Sequence, residues 1–156
     1  MHAFQDSLHE MEERLQEPSE RARRIRAVIF DVDGVLTDGG LYFGDDGQEY
    51  KAFNSRDGQG MVMLRKSGVL LAIITARRSE VVRFRMENLG VEHVYQGCQN
   101  KLETYGSFKT DTGLDDDEIA YVGDDLVDLP VMRRVGLAVA VQDAHPLVVE
   151  HAHWRT

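Results

Sequence analysis

The amino-acid sequence predicts an α/β fold in which helices cover both faces of a parallel β-sheet. Two observations support this prediction. First, residues 26–30, 69–74 and 119–122 are short, continuously apolar runs that stop at polar or glycine residues, as buried strands do. Second, segments with helical spacing of apolar residues lie between these runs. Strands that alternate with helices form parallel sheets through right-handed crossovers.

The remaining elements follow in chain order. Two short runs on either side of a Gly/Asp turn predict a β-hairpin over residues 41–53, directly after the first strand. Apolar spacing and glycine stops predict the other elements. These are helices over 57–66, 79–89, 101–112 and 126–135, and strands over 91–95 and 137–141.

Length and composition indicate one globular domain. The chain has 156 residues, of which 42% are hydrophobic and 29% charged, and this is enough for a single core. We predict an N-terminal arm or short helix over residues 1–24, with Leu8, Met11 and Leu15 on one face, and a single α/β domain over residues 25–156.

Charge and cysteine content limit which partners and which cellular compartment are expected. The formal net charge of −9 argues against nucleic acid, because an acidic protein repels phosphate backbones. Cys98 is the only cysteine, so no intrachain disulfide can form and a reducing compartment fits. Residues 1–17 are polar and acidic, and no apolar stretch approaches about 18 residues. We therefore predict a cytoplasmic protein that binds neither membrane nor nucleic acid.

Carboxylates follow two of the predicted strands at the same edge of the sheet. Asp31 and Asp33 are two positions apart, so an extended chain points both side chains to one face. Asp124, Asp125 and Asp128 crowd together after the strand over 119–122. Such carboxylates repel one another unless a cation lies among them, and Mg²⁺ prefers a few carboxylates and several waters. Because ligands bind at the carboxyl edge of open α/β sheets, the sequence predicts a magnesium site there.

A hydroxyl and an ammonium come at the same edge. Thr75 ends the strand over 69–74 and stands shortly before Ser79, a candidate helix N-cap, where free N–H groups can hold phosphate oxygens. Lys101 opens a helix, where the helix dipole disfavours a cation unless an anion is nearby. Carboxylates, a hydroxyl and an ammonium together predict Mg²⁺-assisted phosphoryl transfer.

Several segments resemble, in order and spacing, the motifs of the haloacid dehalogenase superfamily, and within it the capless 3-deoxy-D-manno-octulosonate 8-phosphate phosphatases. The resemblance implies a Rossmann-like fold with a β-hairpin flap and no cap domain. It also implies Mg²⁺-dependent hydrolysis of a phosphorylated sugar acid through an aspartyl-phosphate, in lipopolysaccharide biosynthesis. The matching segments are residues 31–38, 51–58, 74–77, 95–97, 121–128 and 141–146.

The same resemblance implies a role for individual residues. Asp31 is the expected nucleophile and Asp33 the general acid and base, while Thr75 and Lys101 hold the transferring phosphoryl group. Mg²⁺ is expected on the carboxylates of Asp31 and Asp124 and on the backbone carbonyl of Asp33. The residues expected to contact the substrate are Asp33, Asn54, Ser55, Arg56, Asp57, Gly58, Arg77, Arg85 and Lys101. Capless members assemble into tetramers, so a homotetramer formed through the hairpin over 41–53 is also implied.

Two other functions stay open at this point. Val62 stands where relatives usually have a basic residue, which leaves a nine-carbon sialic-type sugar acid 9-phosphate as an alternative substrate. A phospho-accepting receiver domain also combines Asp, Thr, Lys and Mg²⁺ on a parallel sheet. Receivers, however, carry their phosphorylated Asp after the third strand, and the strand over 91–95 is followed by Gln96 and Gly97.

Overall fold

The structure, a computed structural model, describes residues 17–156. The helix predicted around Leu8, Met11 and Leu15 therefore lies outside the described residues. Within the predicted arm, residues 17–22 are helical. They lead into the first strand, and the Arg21 guanidinium donates a hydrogen bond of 2.9 Å to the carbonyl oxygen of Gly136.

The described residues form one six-stranded sheet and one separate hairpin. The strands are β1 (Ala27–Phe30), β2 (Tyr42–Phe43), β3 (Glu49–Tyr50), β4 (Leu70–Thr75), β5 (His93–Gln96), β6 (Ile119–Gly123), β7 (Leu137–Ala140) and β8 (Trp154–Arg155). The main sheet has the order β5-β4-β1-β6-β7-β8, and each of its pairings is parallel. The predicted parallel sheet is thus confirmed. Because the chain adds strands to one side of β1 and then to the other, a crevice forms between β1 and β6, where ligands bind in such sheets.

Helices cover both faces of this sheet, as predicted. They are α1 (Ser55–Lys66), α2 (Glu80–Leu89), α3 (Lys101–Thr112), α4 (Leu129–Met132) and α5 (Pro146–His151). Residues of α3, α4 and α5 pack on one face, around Tyr105, Phe108 and Met132, and residues of α1 and α2 pack on the other. Within residues 17–156, none of these helices has both the length and the apolar character needed to cross a bilayer.

Polar caps begin the longer helices and place their first residues. The side chains of Asn54, Ser79 and Asn100 accept hydrogen bonds from backbone N–H groups in the first turns of α1, α2 and α3. Gly90 and Gly113 end α2 and α3 in the left-handed conformation. The N-cap on α3 makes Lys101 its first residue, which is where the sequence placed it.

The helix predicted over 126–135 is wrong. The chain instead forms a 3₁₀ turn over Leu126–Asp128 and then the single-turn helix α4. Pro130 explains the difference, because it has no backbone N–H and belongs in the first turn of a helix rather than in its middle. The 3₁₀ turn before α4 places Asp128 next to the end of β6.

The predicted hairpin is confirmed but short. Each strand has two residues, and the Gly44 N–H donates a 2.8 Å hydrogen bond to the Gln48 carbonyl oxygen across the turn. Tyr42 pairs with Tyr50 in the register, and both are exposed. The opposite side of β3 is turned toward the carboxyl edge of the main sheet, because alternate residues of a strand point to opposite sides.

Candidate active site

A buried ion pair joins the ends of β1 and α3. Asp31 follows β1 directly, and its N–H donates a hydrogen bond of 3.1 Å to the Val122 carbonyl oxygen on β6. The Lys101 ammonium lies 2.9 Å from Asp31 Oδ2 and 2.7 Å from Asp128 Oδ1. Only 3% of the Lys101 side chain is exposed. The structure thus brings together two residues that the sequence separates by 70 positions.

Burial and neighbouring charges determine how these groups ionise. Burial opposes a charge on Lys101, but the carboxylates of Asp31 and Asp128 outweigh it and raise the pKa of Lys101. Burial raises the pKa of Asp31, while the charge of Lys101 opposes this rise. Lys101 therefore stays an ammonium at neutral pH. A desolvated cation at this edge can stabilise the negative charge of a phosphoryl group in transfer.

Asp128 anchors the loop after β6. Its side chain is fully buried, and Oδ1 accepts hydrogen bonds from the Lys101 ammonium at 2.7 Å and the Tyr121 hydroxyl at 2.8 Å. Oδ2 accepts hydrogen bonds from the backbone N–H groups of Asp124, at 3.0 Å, and Asp125, at 3.2 Å. Both oxygens are thus occupied by protein donors. Asp128 accordingly orients Lys101 and Asp124 instead of offering a free oxygen to a metal ion.

Asp124 has the features of a metal ligand. Carboxylate oxygens of Asp31, Asp124 and Asp128 all lie within 4.8 Å of one another. Asp124 Oδ1 is buried and has no hydrogen-bond partner. Burial, followed by the charges of Asp128 and Asp31, raises the pKa of Asp124 to about 7. A divalent cation would supply the missing partner and neutralise this charge, so the residues present fit Mg²⁺.

Gly34 makes room for this carboxylate. Its φ of +87° lies in the left-handed region, and a Cβ at this position would lie 2.0 Å from Asp124 Oδ2. Both the backbone conformation and the space thus require glycine. The glycine of the Asp31–Gly34 motif therefore lets the loops after β1 and β6 approach each other.

Thr75 lies at the same edge. It is the last residue of β4, and its side chain is almost completely buried. The Thr75 carbonyl oxygen accepts a hydrogen bond of 3.0 Å from the Cys98 N–H, which ties β4 to the segment that leads to Lys101. Because β4 pairs directly with β1, Thr75 stands beside the residues that follow Phe30.

Asp33 contacts side chains of the hairpin segment and of the loop after β4. The Lys51 ammonium donates a short hydrogen bond to Asp33 Oδ1 and also lies 3.4 Å from Glu49 Oε1. Arg77 lies 3.1 Å from Glu49 Oε1 and 3.7 Å from Asp33 Oδ2. Burial opposes the charge of Glu49, but hydrogen bonds from Ser79, Arg77 and Lys51 outweigh it and lower its pKa.

Lys51 and Glu49 were not predicted from the sequence as site residues. One signal was available, because Lys51 opens the segment 51–58 that carries part of the family resemblance. Glu49 in β3 and Lys51, which directly follows β3, are two positions apart, so an extended chain points them to one side and Tyr50 to the other. The exposures agree, with 1% of the Lys51 side chain exposed against 54% of Tyr50.

The predicted substrate residues fall into two groups. Arg77 joins the cluster around Asp33. The other group surrounds Arg85, whose guanidinium carbon lies 5.9 Å from the centre of the Phe53 ring. A Cβ on Gly58 would lie 2.3 Å from Arg85 Nη2, so glycine lets the start of α1 approach this side chain. The neighbouring Asn54, Ser55, Arg56 and Asp57 form the N-cap and first turn of α1 and are exposed.

Arg85 carries an unpaired donor in this second group. Its Nε is buried without a hydrogen-bond partner, whereas Arg83 on the same helix forms exposed ion pairs with Glu80 and Glu87. A guanidinium with a free donor can bind a carboxylate or phosphate. Arg85 thus differs from an ordinary surface arginine.

A large groove in the described residues is a different feature. It has a volume of about 490 Å³ and runs along the second face of the sheet, lined mainly by apolar side chains such as Met61, Leu137 and Val139. None of Asp31, Asp33, Thr75, Lys101 and Asp124 lines it. The polar edge described above is therefore the candidate active site.

The sequence is similar to those of known hydrolases. A family model for haloacid dehalogenase-like hydrolases matches residues 93–156. A 3-deoxy-D-manno-octulosonate 8-phosphate phosphatase from Escherichia coli K12 is 48% identical over 136 residues, which are 87% of this chain and 72% of that protein.

Solved structures are similar as well. The crystal structure of a phosphatase with that same activity from Yersinia pestis has a TM-score of 0.89 and 47% identity, and covers 90% of this chain and 76% of that one. One from Moraxella catarrhalis, in complex with magnesium, phosphate and the sugar acid KDO, has a TM-score of 0.88 and 36% identity, and covers 90% of this chain and 80% of that one.

Proposed function

Since the chain belongs to the 3-deoxy-D-manno-octulosonate 8-phosphate phosphatases of the haloacid dehalogenase-like hydrolases, we propose that it hydrolyses this sugar-acid phosphate with Mg²⁺ as cofactor. It is a phosphoric monoester hydrolase. The observation that carries the proposal is the meeting of Asp31, Lys101 and Asp124 at one edge of the sheet, with an unpaired carboxylate oxygen among them. Because the chain belongs to this family, it is not a receiver domain.

The carboxylate of Asp31 is the proposed nucleophile. One of its oxygens forms a bond to phosphorus while the bond from phosphorus to the sugar oxygen breaks, giving an aspartyl-phosphate and the sugar alkoxide. Asp33 donates a proton to that oxygen. In the second half, water attacks phosphorus, Asp33 takes its proton, and inorganic phosphate leaves with Asp31 restored.

Other residues hold the phosphoryl group during both steps. The Lys101 ammonium, placed by Asp128, offsets its negative charge, and the Thr75 hydroxyl at the end of β4 is the proposed hydrogen-bond donor. We propose Asp31, Asp124 and the Asp33 carbonyl as the ligands of Mg²⁺. When bound, the ion neutralises phosphate oxygens and makes phosphorus easier to attack.

We propose that Arg77 and Arg85 bind the sugar acid. Its carboxylate requires a cation, and we propose Arg77 beside Asp33 and Arg85 beside the start of α1 as the arginines that supply it. Residues 54–58 at the start of α1, of which all but Gly58 are exposed, would contact the sugar hydroxyls. Arg85 Nε supports this assignment, because it is a buried donor without a partner.

We further propose a homotetramer formed through the hairpin. Leu41, Tyr42, Phe43 and Tyr50 are each about half exposed, which is a large apolar patch for a monomer surface. Light scattering after size exclusion should give four subunits, and Phe43→Glu should lower that number. A mass of one subunit for the wild-type protein would contradict the proposal. The cytoplasmic location stays a prediction from the sequence.

Phosphate release from two substrates tests the proposed activity. The enzyme should release phosphate from the eight-carbon sugar acid 8-phosphate at a higher kcat/KM than from a nine-carbon sugar acid 9-phosphate. Removal of Mg²⁺ with a chelator should abolish both reactions, and added Mg²⁺ should restore them. A preference for the nine-carbon substrate would support the alternative that Val62 leaves open.

A further inference from the structure

We propose that Lys51 is a positioning residue for the general acid, and that Glu49 is the counter-ion that keeps Lys51 in place. This inference rests on the proposed phosphatase function, in which Asp33 passes a proton to the leaving oxygen. It concerns the hairpin, whose known features are its turn and its exposed aromatic face. The side of β3 opposite Tyr50 gives the hairpin a second role inside the site.

Lys51 cannot contact substrate itself. Only 1% of its side chain is exposed, and its ammonium is enclosed by the carboxylates of Asp33 and Glu49. A buried ammonium is costly unless it is paired, so these two carboxylates explain why a lysine is tolerated here. Any effect of Lys51 on the reaction must therefore pass through Asp33.

The contact restrains one oxygen of Asp33 and leaves the other accessible. Oδ1 accepts the short hydrogen bond from Lys51. Within residues 17–156, Oδ2 has only the longer 3.7 Å ion pair with Arg77. Since 20% of the Asp33 side chain is exposed, Oδ2 can exchange a proton with a leaving group or with water. Lys51 thus selects the orientation in which the acid faces the substrate.

Glu49 completes the arrangement from β3, two residues before Lys51. Its carboxylate lies 3.4 Å from the Lys51 ammonium and 3.1 Å from the Arg77 guanidinium. Glu49 therefore links the two cations that contact the two oxygens of Asp33. Lys51 directly follows β3, and Glu49 and Lys51 both contact the cluster around Asp33 while Tyr50 between them is exposed. A hairpin with only two residues in each strand is weak by itself, and these ion pairs attach it to the edge of the sheet.

The leaving group provides a readout that a purely structural role would not move. A sugar alkoxide is a poor leaving group and needs the proton from Asp33, whereas p-nitrophenolate leaves without one. Lys51→Met removes the ammonium and keeps most of the length of the side chain. Lys109→Met is the matched control, since Lys109 forms an ion pair with Asp116 at 2.7 Å outside the site.

General acid–base catalysis contributes about 10²- to 10⁴-fold, and misorientation of the acid should lose about 10- to 100-fold of it. We therefore expect Lys51→Met to lower kcat/KM, which reports the steps up to formation of the aspartyl-phosphate, by that factor for the sugar-acid 8-phosphate and by less than about threefold for p-nitrophenyl phosphate. The ratio of the two rates comes from one preparation, so it does not depend on the folded fraction. Equal losses for both substrates, or no loss for either, would overturn the inference.

A double-mutant cycle tests the route through Asp33. In an Asp33→Asn background, Lys51→Met should cause no further loss of sugar-phosphate turnover beyond about twofold, because the group that it positions is already absent. The full single-variant loss in that background would contradict the inference. If the wild-type protein hydrolyses neither substrate, the proposed function itself fails. If it hydrolyses both and the rate ratio is unchanged in Lys51→Met, only the role of Lys51 fails.

Discussion

The Lys101 ammonium lies 2.7 Å from Oδ1 of Asp128, a carboxylate that is completely buried. Lys101 opens a helix and Asp128 lies in a 3₁₀ turn after β6, so the contact joins two separate segments beneath the site. The Tyr121 hydroxyl donates to the same oxygen at 2.8 Å. The cation proposed to hold the phosphoryl group is therefore positioned by a carboxylate that does not contact substrate.

Asp128→Asn should destabilise the protein and reduce its activity. The amide cannot accept hydrogen bonds at both former oxygens, and Lys101 loses one of its two carboxylates. Breaking a buried pair costs about 3–5 kcal/mol, so the free energy of unfolding in urea should fall by roughly that amount. Asp125→Asn is the control, because Asp125 is exposed and asparagine is an equally good N-cap. A loss no greater than that of the control would contradict the anchoring role.

Gly34→Ala should weaken Mg²⁺ binding. The new Cβ would meet Asp124 Oδ2 at 2.0 Å, so the carboxylate has to move from its position near Asp31. Gly68→Ala is a matched control, since Gly68 also has a positive φ, of +90°, but no atom within 4 Å of its Cβ position. Calorimetric titration with Mg²⁺ should show a higher Kd for Gly34→Ala and an unchanged Kd for Gly68→Ala. Equal affinities in the two variants would contradict the role of Gly34.

Mg²⁺ binding should strengthen as the pH rises from 6 to 8. The pKa of Asp124 is about 7 in the metal-free protein, above its ordinary value of 3.8, so a proton competes with the ion below that pH. Between about pH 4 and pH 7, Asp124 is therefore protonated in the folded state and ionised in the unfolded state. The stability of the metal-free protein should therefore fall as the pH rises from about 4 to about 7. Thermal unfolding should show a larger increase of Tm with Mg²⁺ at pH 8 than at pH 6.

The fold was predictable from the sequence because its signals are local. Continuous apolar runs marked the central strands, and the helix predicted over 101–112 has the observed bounds of α3, which the structure shows between the Asn100 cap and Gly113. The helix predicted over 126–135 failed at Pro130, where apolar periodicity continued but the backbone lacked a donor. The spacing of apolar side chains does not show that a backbone N–H is missing.

The contacts within the site were predictable only in part. The order of strands at one edge was enough to gather Asp31, Thr75, Lys101 and Asp124. The contact between Lys51 and Asp33 was not, because it depends on how the hairpin folds back over the edge. Nor did the sequence distinguish Asp128 as an anchor, since its role depends on four donors that only the folded loop brings together.

Phosphorylation of Asp31 is the most direct test of the central claim. The enzyme is mixed with the sugar-acid 8-phosphate and Mg²⁺, quenched in acid within one turnover, and analysed by mass spectrometry of its peptides. We expect one added phosphoryl group on the peptide that carries Asp31, and neither this group nor phosphate release in Asp31→Asn. Wild-type turnover in Asp31→Asn, or the phosphoryl group on another residue, would contradict it.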